Sequence, residues 1–279
     1  MLGHQLLKRY RGRHDVRVTL RRPLDEYAAY GLFDSDNTFP NVDAINFDRV
    51  ENIIRGFQPE AVINAIGIVK QRSEARDAIL SLEINSLLPH RLSLLCADLG
   101  ARLIHISTDC VFSGAKGMYT EDDLEDAADL YGRSKLLGEV KAPHAVTIRT
   151  SIIGLELSRR KSLIEWFLAQ RGDIKGFTRA IYSGFTTQEM ARIIELVLLE
   201  KTSLSGLWHV ASSPINKHDL LSMFSSELGR KDVTIVADDS FACDRSLDGR
   251  KFERETGYAP PSWDKMLAEL AAEAQEHKE

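Results

Sequence analysis

Two fragments of the 279-residue chain carry residue types that could move a proton. The first is Ser107-Thr108-Asp109-Cys110-Val111-Phe112-Ser113-Gly114, which sets hydroxyls at the end of the apolar run Leu103-Ile104-His105-Ile106. The second is Tyr131-Gly132-Arg133-Ser134-Lys135. On a helix its phenol and ammonium stand four residues apart and share one face. A lysine beside a tyrosine favours the phenolate, which makes the phenol a better proton donor or acceptor near neutral pH. The chemistry this equips is proton transfer at a carbonyl or alcohol oxygen. Alone, the Tyr-x-x-x-Lys spacing is weak, and a surface helix whose Tyr and Lys merely pack and solvate also satisfies it. Hydroxyls at a strand end add weight, because open α/β sheets build their sites beyond the carboxyl ends of their strands.

The elements around these fragments alternate. Leu2, Leu6 and Leu7 share a face of a helix over residues 2–11, and residues 16–20 alternate like a strand. Residues 50–57 read as a helix, ended by Gly56 and Pro59. Residues 61–66 form a short apolar run, the pattern of a strand buried on both faces of a parallel sheet. A long helix over 84–99 stops at Gly100; strands follow at 103–106 and 145–149, with the Tyr131 helix between them. This order predicts an α/β fold, a doubly wound Rossmann-type parallel sheet. Beyond Ser151 come helices at 163–168 and 187–199 and strands at 207–210 and 233–236, read as a smaller C-terminal α+β substrate lobe over the sheet's C-terminal edge. The expected division is a dinucleotide-binding domain over 1–153, to which 181–212 returns, and a substrate lobe over 154–279. The acidic run Glu121–Asp126 is expected to be a solvated loop, and residues 271–279 to fray.

A net charge of −5, with no strongly basic stretch, argues against a nucleic-acid partner. The longest apolar runs are too short and too charged to span a bilayer, and the first 20 residues lack the apolar core of a signal peptide. Cys96, Cys110 and Cys243 are scattered and odd in number, which fits a reducing cytoplasm. No CxxC or HExxH pattern marks a metal site.

In combination, Ser107-Thr108-Asp109-x-Val111-Phe112 followed by Tyr131-Gly-x-x-Lys135-x-x-x-Glu139 resembles the extended short-chain dehydrogenase/reductases, specifically the dTDP-4-dehydrorhamnose reductase family. The likeness extends over nearly the whole chain. It takes in Asn64-Ala65-Ile66-Gly67, Arg149-Thr150-Ser151, Arg245-x-Leu247-Asp248, Gly257-Tyr258 and Pro261-x-Trp263. The resemblance implies NADPH-dependent reduction of the 4-keto group of a nucleotide-activated deoxysugar, with NADH as the other nicotinamide donor. Tyr131 would be the general acid, Lys135 would lower its pKa and hold the nicotinamide ribose, and Thr108 would hydrogen-bond the keto oxygen. Gly3, Arg21, Arg22, Asp43, Ala65, Ile66 and Gly67 would line the cofactor, with Arg21 and Arg22 facing a 2′-phosphate. Asp109, Cys110, Val111 and Phe112 would meet the sugar. The expected partners are the nucleotide-sugar substrate and, as an open question of assembly, a second copy of the chain in a homodimer.

Three departures follow. Cys110 stands where the family has tyrosine, and Ile152 where it often has Trp, so the sugar is left open. Cys110 reads as a small pocket residue rather than a nucleophile. Met1–Leu7 matches only the last glycine of the family's glycine loop and the helix behind it. The expectation is a natural start about ten residues upstream, one strand plus a tight loop. In a 3-2-1-4-5 order, lack of that strand exposes two strand edges. Two other readings of the same fold remain: a nucleotide-sugar epimerase or dehydratase, and a non-catalytic regulatory subunit like that of methionine adenosyltransferase.

Overall fold

The structure, a computed structural model, describes residues 1–70, 76–158 and 160–276. After helix α1 (Leu2–Tyr10), strands β1 (Val18–Thr19) and β2 (Thr38–Phe39) pair in parallel as a two-stranded ribbon. Helix α2 (Phe47–Phe57) follows, begun where Asn46 Oδ1 accepts the Arg49 amide. It leads to β3 (Ala61–Asn64). Next, α3 (Ala78–Ser81), capped by Asp77, passes through a π-helical turn, Leu82–Leu87, into α4 (Leu88–Leu99). The chain then runs through β4 (Arg102–Ile106), α5 (Leu130–Leu137) and β5 (Ala145–Arg149).

The short strands β6 (Ile152–Ile153) and β8 (Phe185–Thr186) pair with each other. Between them lie α6 (Leu163–Leu168) and the long β7 (Gly172–Tyr182). Helix α7 (Thr187–Leu199) precedes β9 (Gly206–His209), β10 (Ile215–Asn216), α8 (Lys217–Glu227) and β11 (Val233–Asp244). The chain closes with α9 (Arg250–Thr256) and α10 (Trp263–Glu276).

The central sheet has the order β3-β4-β5-β9, all parallel. A second sheet, β10-β7-β11, carries α8. The doubly wound character is visible side chain by side chain on β4. Ile104 joins a cluster with Leu2, Leu6, Ile193 and Leu267 on one face, while Leu103 joins Val50, Leu92 and Cys96 on the other. Each such fully buried aliphatic side chain contributes about 1.5–3 kcal/mol. Parallel strands alternating with helices require this two-sided covering.

Several expectations need correction. The β1–β2 ribbon is not hydrogen-bonded to the four-stranded sheet, so β3 is an edge strand. Ala61, Val62 and Ile63 are accordingly only half-buried, and Asn64 alone is buried, where burial on both faces was expected. The long helix begins at Ala78, because Asp77 caps it. Helix α10 continues to Glu276 instead of fraying from 271; residues 277–279 lie outside the described residues. Among the described residues no helix is long and apolar enough to cross a membrane.

Candidate active site

The site forms where β4 and β5 end side by side. Ser107 N donates to Ile148 O (2.7 Å) and Asp109 N to Thr150 O (3.3 Å), extending the ladder past both strands. The chain then turns through a short 3₁₀ segment, Asp109–Val111, capped by Thr108. Thr108 Oγ1 accepts the Cys110 amide (3.1 Å) and donates to Asp109 Oδ1 (3.2 Å), which fixes its direction.

Helix α5 lies on this turn. Its cap is Asp129, whose Oδ1 accepts the Gly132 amide (2.9 Å) and whose other oxygen pairs with Lys70 (2.7 Å). Gly132 and Gly138 allow the approach. A β-carbon on Gly132 would overlap Cys110 O, and one on Gly138 would overlap Asn85 O. Asn85 sits in the π-helical turn and joins three elements. Its Oδ1 accepts the Ile68 amide (2.8 Å), and its Nδ2 donates to Ile68 O (3.0 Å) and Ser134 Oγ (3.1 Å). Such π turns recur where a side chain must be aimed.

Tyr131 and Lys135 therefore face the end of β4. Lys135 is buried and donates Nζ–H to Ile106 O (2.6 Å). Burial lowers its pKa to about 8, opposed by Glu139. The Tyr131 phenol is pushed above its ordinary value, chiefly by burial and then by Cys110, while the Thr108 hydroxyl pulls the other way. Asp109 and Asp129 also raise it. The ammonium is turned to a backbone carbonyl, and Tyr131 is held as a protonated phenol. Burial also pushes Cys110 up to about 12, so it is a thiol and no nucleophile. Asp109 is raised by burial, with Arg245, Thr108 and Ser151 opposing.

Val111 and Phe112 pack into the interior. Both are fully buried, in a cluster with Tyr119, Ala211 and Leu247, and Phe112 stacks on Tyr119 at 4.2 Å.

The expected cofactor residues occupy the rim. Ala65 and Ile66 are exposed beyond β3, and Gly67 lies against Asn85. Arg21 and Asp43 meet in an exposed ion pair (3.0 Å), whereas Arg22 pairs with Glu26 (2.8 Å). Gly3 is exposed in the first turn of α1. A helix N-terminus, an exposed strand end and a guanidinium past β1 are group types that could hold the phosphates and adenosine of a dinucleotide. Lys135 and Tyr131 fit its nicotinamide end.

Other polar groups enter without an expected role. Arg245, just past β11, donates Nε–H to Phe112 O (2.8 Å) and Nη2–H to Ser113 O (3.3 Å), and its charge favours the ionised forms of Asp109 and Asp129. The acidic run is no free loop. Glu125 pairs with the fully buried Arg149, Asp126 accepts Ser113 N and Oγ (2.6 Å each), and Glu121 accepts His209 N (3.0 Å). A run of acids reads as solvent-facing; only the fold reveals the guanidinium it covers.

The RmlD substrate binding domain family matches residues 1–276. The dTDP-4-dehydrorhamnose reductase of Aggregatibacter actinomycetemcomitans is 26% identical over 261 residues, covering 85% of this chain and 89% of that protein. Methionine adenosyltransferase 2 subunit beta of Rattus norvegicus is 31% identical over 106 residues, covering 36% of this chain and 30% of that one. Among solved structures, dTDP-4-dehydrorhamnose reductase of Bacillus anthracis in complex with NADP superposes with a TM-score of 0.75 at 20% identity. It covers 93% of this chain and 100% of that one. By a match that runs almost end to end, the chain belongs to the RmlD substrate binding domain family.

Proposed function

We propose that the protein is an NAD(P)-dependent oxidoreductase that reduces the 4-keto group of a nucleotide-activated deoxysugar, using NADPH in preference to NADH. The observation that carries this reading is that Tyr131 and the buried Lys135, one turn apart on α5, meet the end of β4 where the Thr108 hydroxyl is held by the Cys110 amide. The Aggregatibacter relative, named for the same reaction type, supports it across most of its length. Similarity to the methionine adenosyltransferase subunit extends over about a third of this chain and gives the regulatory reading less support.

When bound, a nicotinamide cofactor would supply hydride to the carbonyl carbon. Thr108 Oγ, held by the Cys110 amide, turns its hydrogen from Asp109 Oδ1 to the carbonyl oxygen and orients it. Tyr131 gives that oxygen its proton, so a carbonyl becomes a hydroxyl with the charge balanced. A phenol held above its ordinary pKa is present in the donor form throughout the neutral range. Lys135 anchors the ribose, and its positive charge stabilises the tyrosinate left behind. Arg21 and Asp43 take the adenosine end, and Asp109 with Cys110 the sugar.

A homodimer is part of this reading. Leu94 and Leu137 are exposed, and His90, one turn before Leu94, donates to Leu137 O (2.8 Å), so α4 and α5 present both leucines on one face. Paired apolar side chains of this kind suit a second copy of the chain.

The test is NADPH oxidation with a panel of dTDP- and UDP-4-keto-6-deoxy sugars, with Tyr131→Phe as control. Turnover lost in the variant supports the reading; background consumption across the panel overturns it.

A further inference from the structure

Behind Lys135 lies a chain of charges with no part in the proton step above. Glu139, two residues past the end of α5, has a buried carboxylate bound on three sides. Ser107 Oγ donates to its Oε1 (2.7 Å). Arg149 Nε donates to the same oxygen (2.7 Å), and Arg149 Nη2 to Oε2 (2.7 Å). Arg149, at the end of β5, is fully buried. Its Nη2 is shared with Glu125 of the acidic run, its Nη1 meets His209 Nε2 (3.3 Å), and its guanidinium lies 5.3 Å from the Phe112 ring centre. A buried arginine between two carboxylates is a fixed geometry, because removing either partner leaves charge uncompensated in a poorly solvated place.

We infer that Glu139, Arg149 and Glu125 form a relay that holds Lys135 in its charged form, with Glu139 and Glu125 as positioning residues and the acidic run as its outer end. The importance of this for turnover rests on the reductase reading; the coupling itself does not.

The groups facing Lys135 are few. Tyr131 precedes it by one turn and Glu139 follows by one turn. From β4 come the Ile106 carbonyl and His105, whose buried ring stays neutral. The π-helical turn behind α5 offers Asn85 and Ser86, which are uncharged and bound to Ser134. Glu139 is thus the neighbouring anion that opposes the desolvation of Lys135. Arg149 damps that anion, and Glu125 in turn damps Arg149. Loss of the Glu139 charge must lower the Lys135 pKa directly. Loss of the Glu125 charge leaves Arg149 half-compensated, which adds positive potential and lowers the Lys135 pKa by less.

The experiment is an NMR titration of the ligand-free protein labelled with 13C at lysine Cε, with the Lys135 signal assigned through Lys135→Met. Glu139→Gln is expected to lower the Lys135 midpoint by about one pH unit, and Glu125→Gln by a few tenths in the same direction. Glu125→Asp, which keeps the charge, should restore part of the shift. In turnover assays the alkaline limb of kcat/KM should move down in parallel. Should Glu139→Gln fail to fold around the unpaired Arg149, Glu125→Gln decides, since Glu125 sits at the rim with 22% of its side chain exposed. A Lys135 midpoint that is unmoved or raised in a folded Glu125→Gln protein overturns the inference. Absence of ketosugar turnover in the unaltered protein would sink the reductase reading alone, because the titration needs no substrate.

Discussion

The backbone oxygen of Cys110 occupies the place where a β-carbon on residue 132 would stand. This contact sets the distance between α5 and the turn that carries Thr108, and hence between Tyr131 and Thr108. Gly132→Ala should push the helix outward. The expected cost is about 1–3 kcal/mol of stability, read by chemical denaturation. A fall in kcat of about a hundredfold should accompany it, as misplacement by about 1 Å can produce.

Tyr131→Phe removes the proton donor and leaves the ring. NADPH binding, followed by titration calorimetry, should be nearly unchanged, while kcat falls by about 10²–10⁴. Thr108→Val should lower kcat/KM by less, because it removes one oriented hydrogen bond to the carbonyl oxygen. Equal turnover by the Tyr131→Phe protein would remove the phenol from the reaction.

Stability should decline as pH falls from about 6.5 toward 4. His209 is fully buried; its Nδ1–H donates to Tyr119 O (2.9 Å), and Nε2 faces Arg149. Burial and Arg149 depress its pKa from 6.5 to about 4. Between those values the unfolded chain binds a proton that the native ring refuses, so acid favours unfolding. The loss reaches at most about 3 kcal/mol. His105, buried with Nδ1 turned to Asn64 (3.2 Å), acts in the same direction. Denaturation curves at pH 7 and pH 5 measure the slope, and His209→Gln should flatten it.

Leu94→Asp and Leu137→Asp place charges on the face shared by α4 and α5. Light scattering after size-exclusion chromatography should find a dimer for the unaltered chain and a monomer for the double variant. Identical masses for both would remove this face from the assembly.

Local pattern carried much of the fold. The helices at 163–168 and 187–199 and the strand at 145–149 lie where periodicity puts them, because each matches one burial pattern and the two helices start at side-chain caps. The lengths of β7 and β11 were not legible. They are long, irregularly exposed strands defined by their mutual pairing, which no local window contains. At the candidate site, the shared helix of Tyr131 and Lys135 was legible because their spacing is local, and Thr108 lies at the strand end that the apolar run predicts. The Glu139–Arg149–Glu125 cluster was not, because its members come from three separate elements. The burial of Val111 and Phe112 was not legible either, because it depends on Tyr119, Ala211 and Leu247 from other parts of the chain.

The gap between the β1–β2 ribbon and the four-stranded sheet gives the molecule a seam. Among the described residues no ladder crosses it, so opening along it breaks no strand pairing there, and the ribbon amides should exchange with solvent faster than those of β4 and β5. The groups assigned to adenosine stand on one bank, at Arg21 and Asp43, and those assigned to nicotinamide on the other, at Tyr131 and Lys135. A ligand reaching both banks acts as a suture: its affinity includes the work of closing the seam, and its arrival should slow exchange in a ribbon far from the reacting carbonyl.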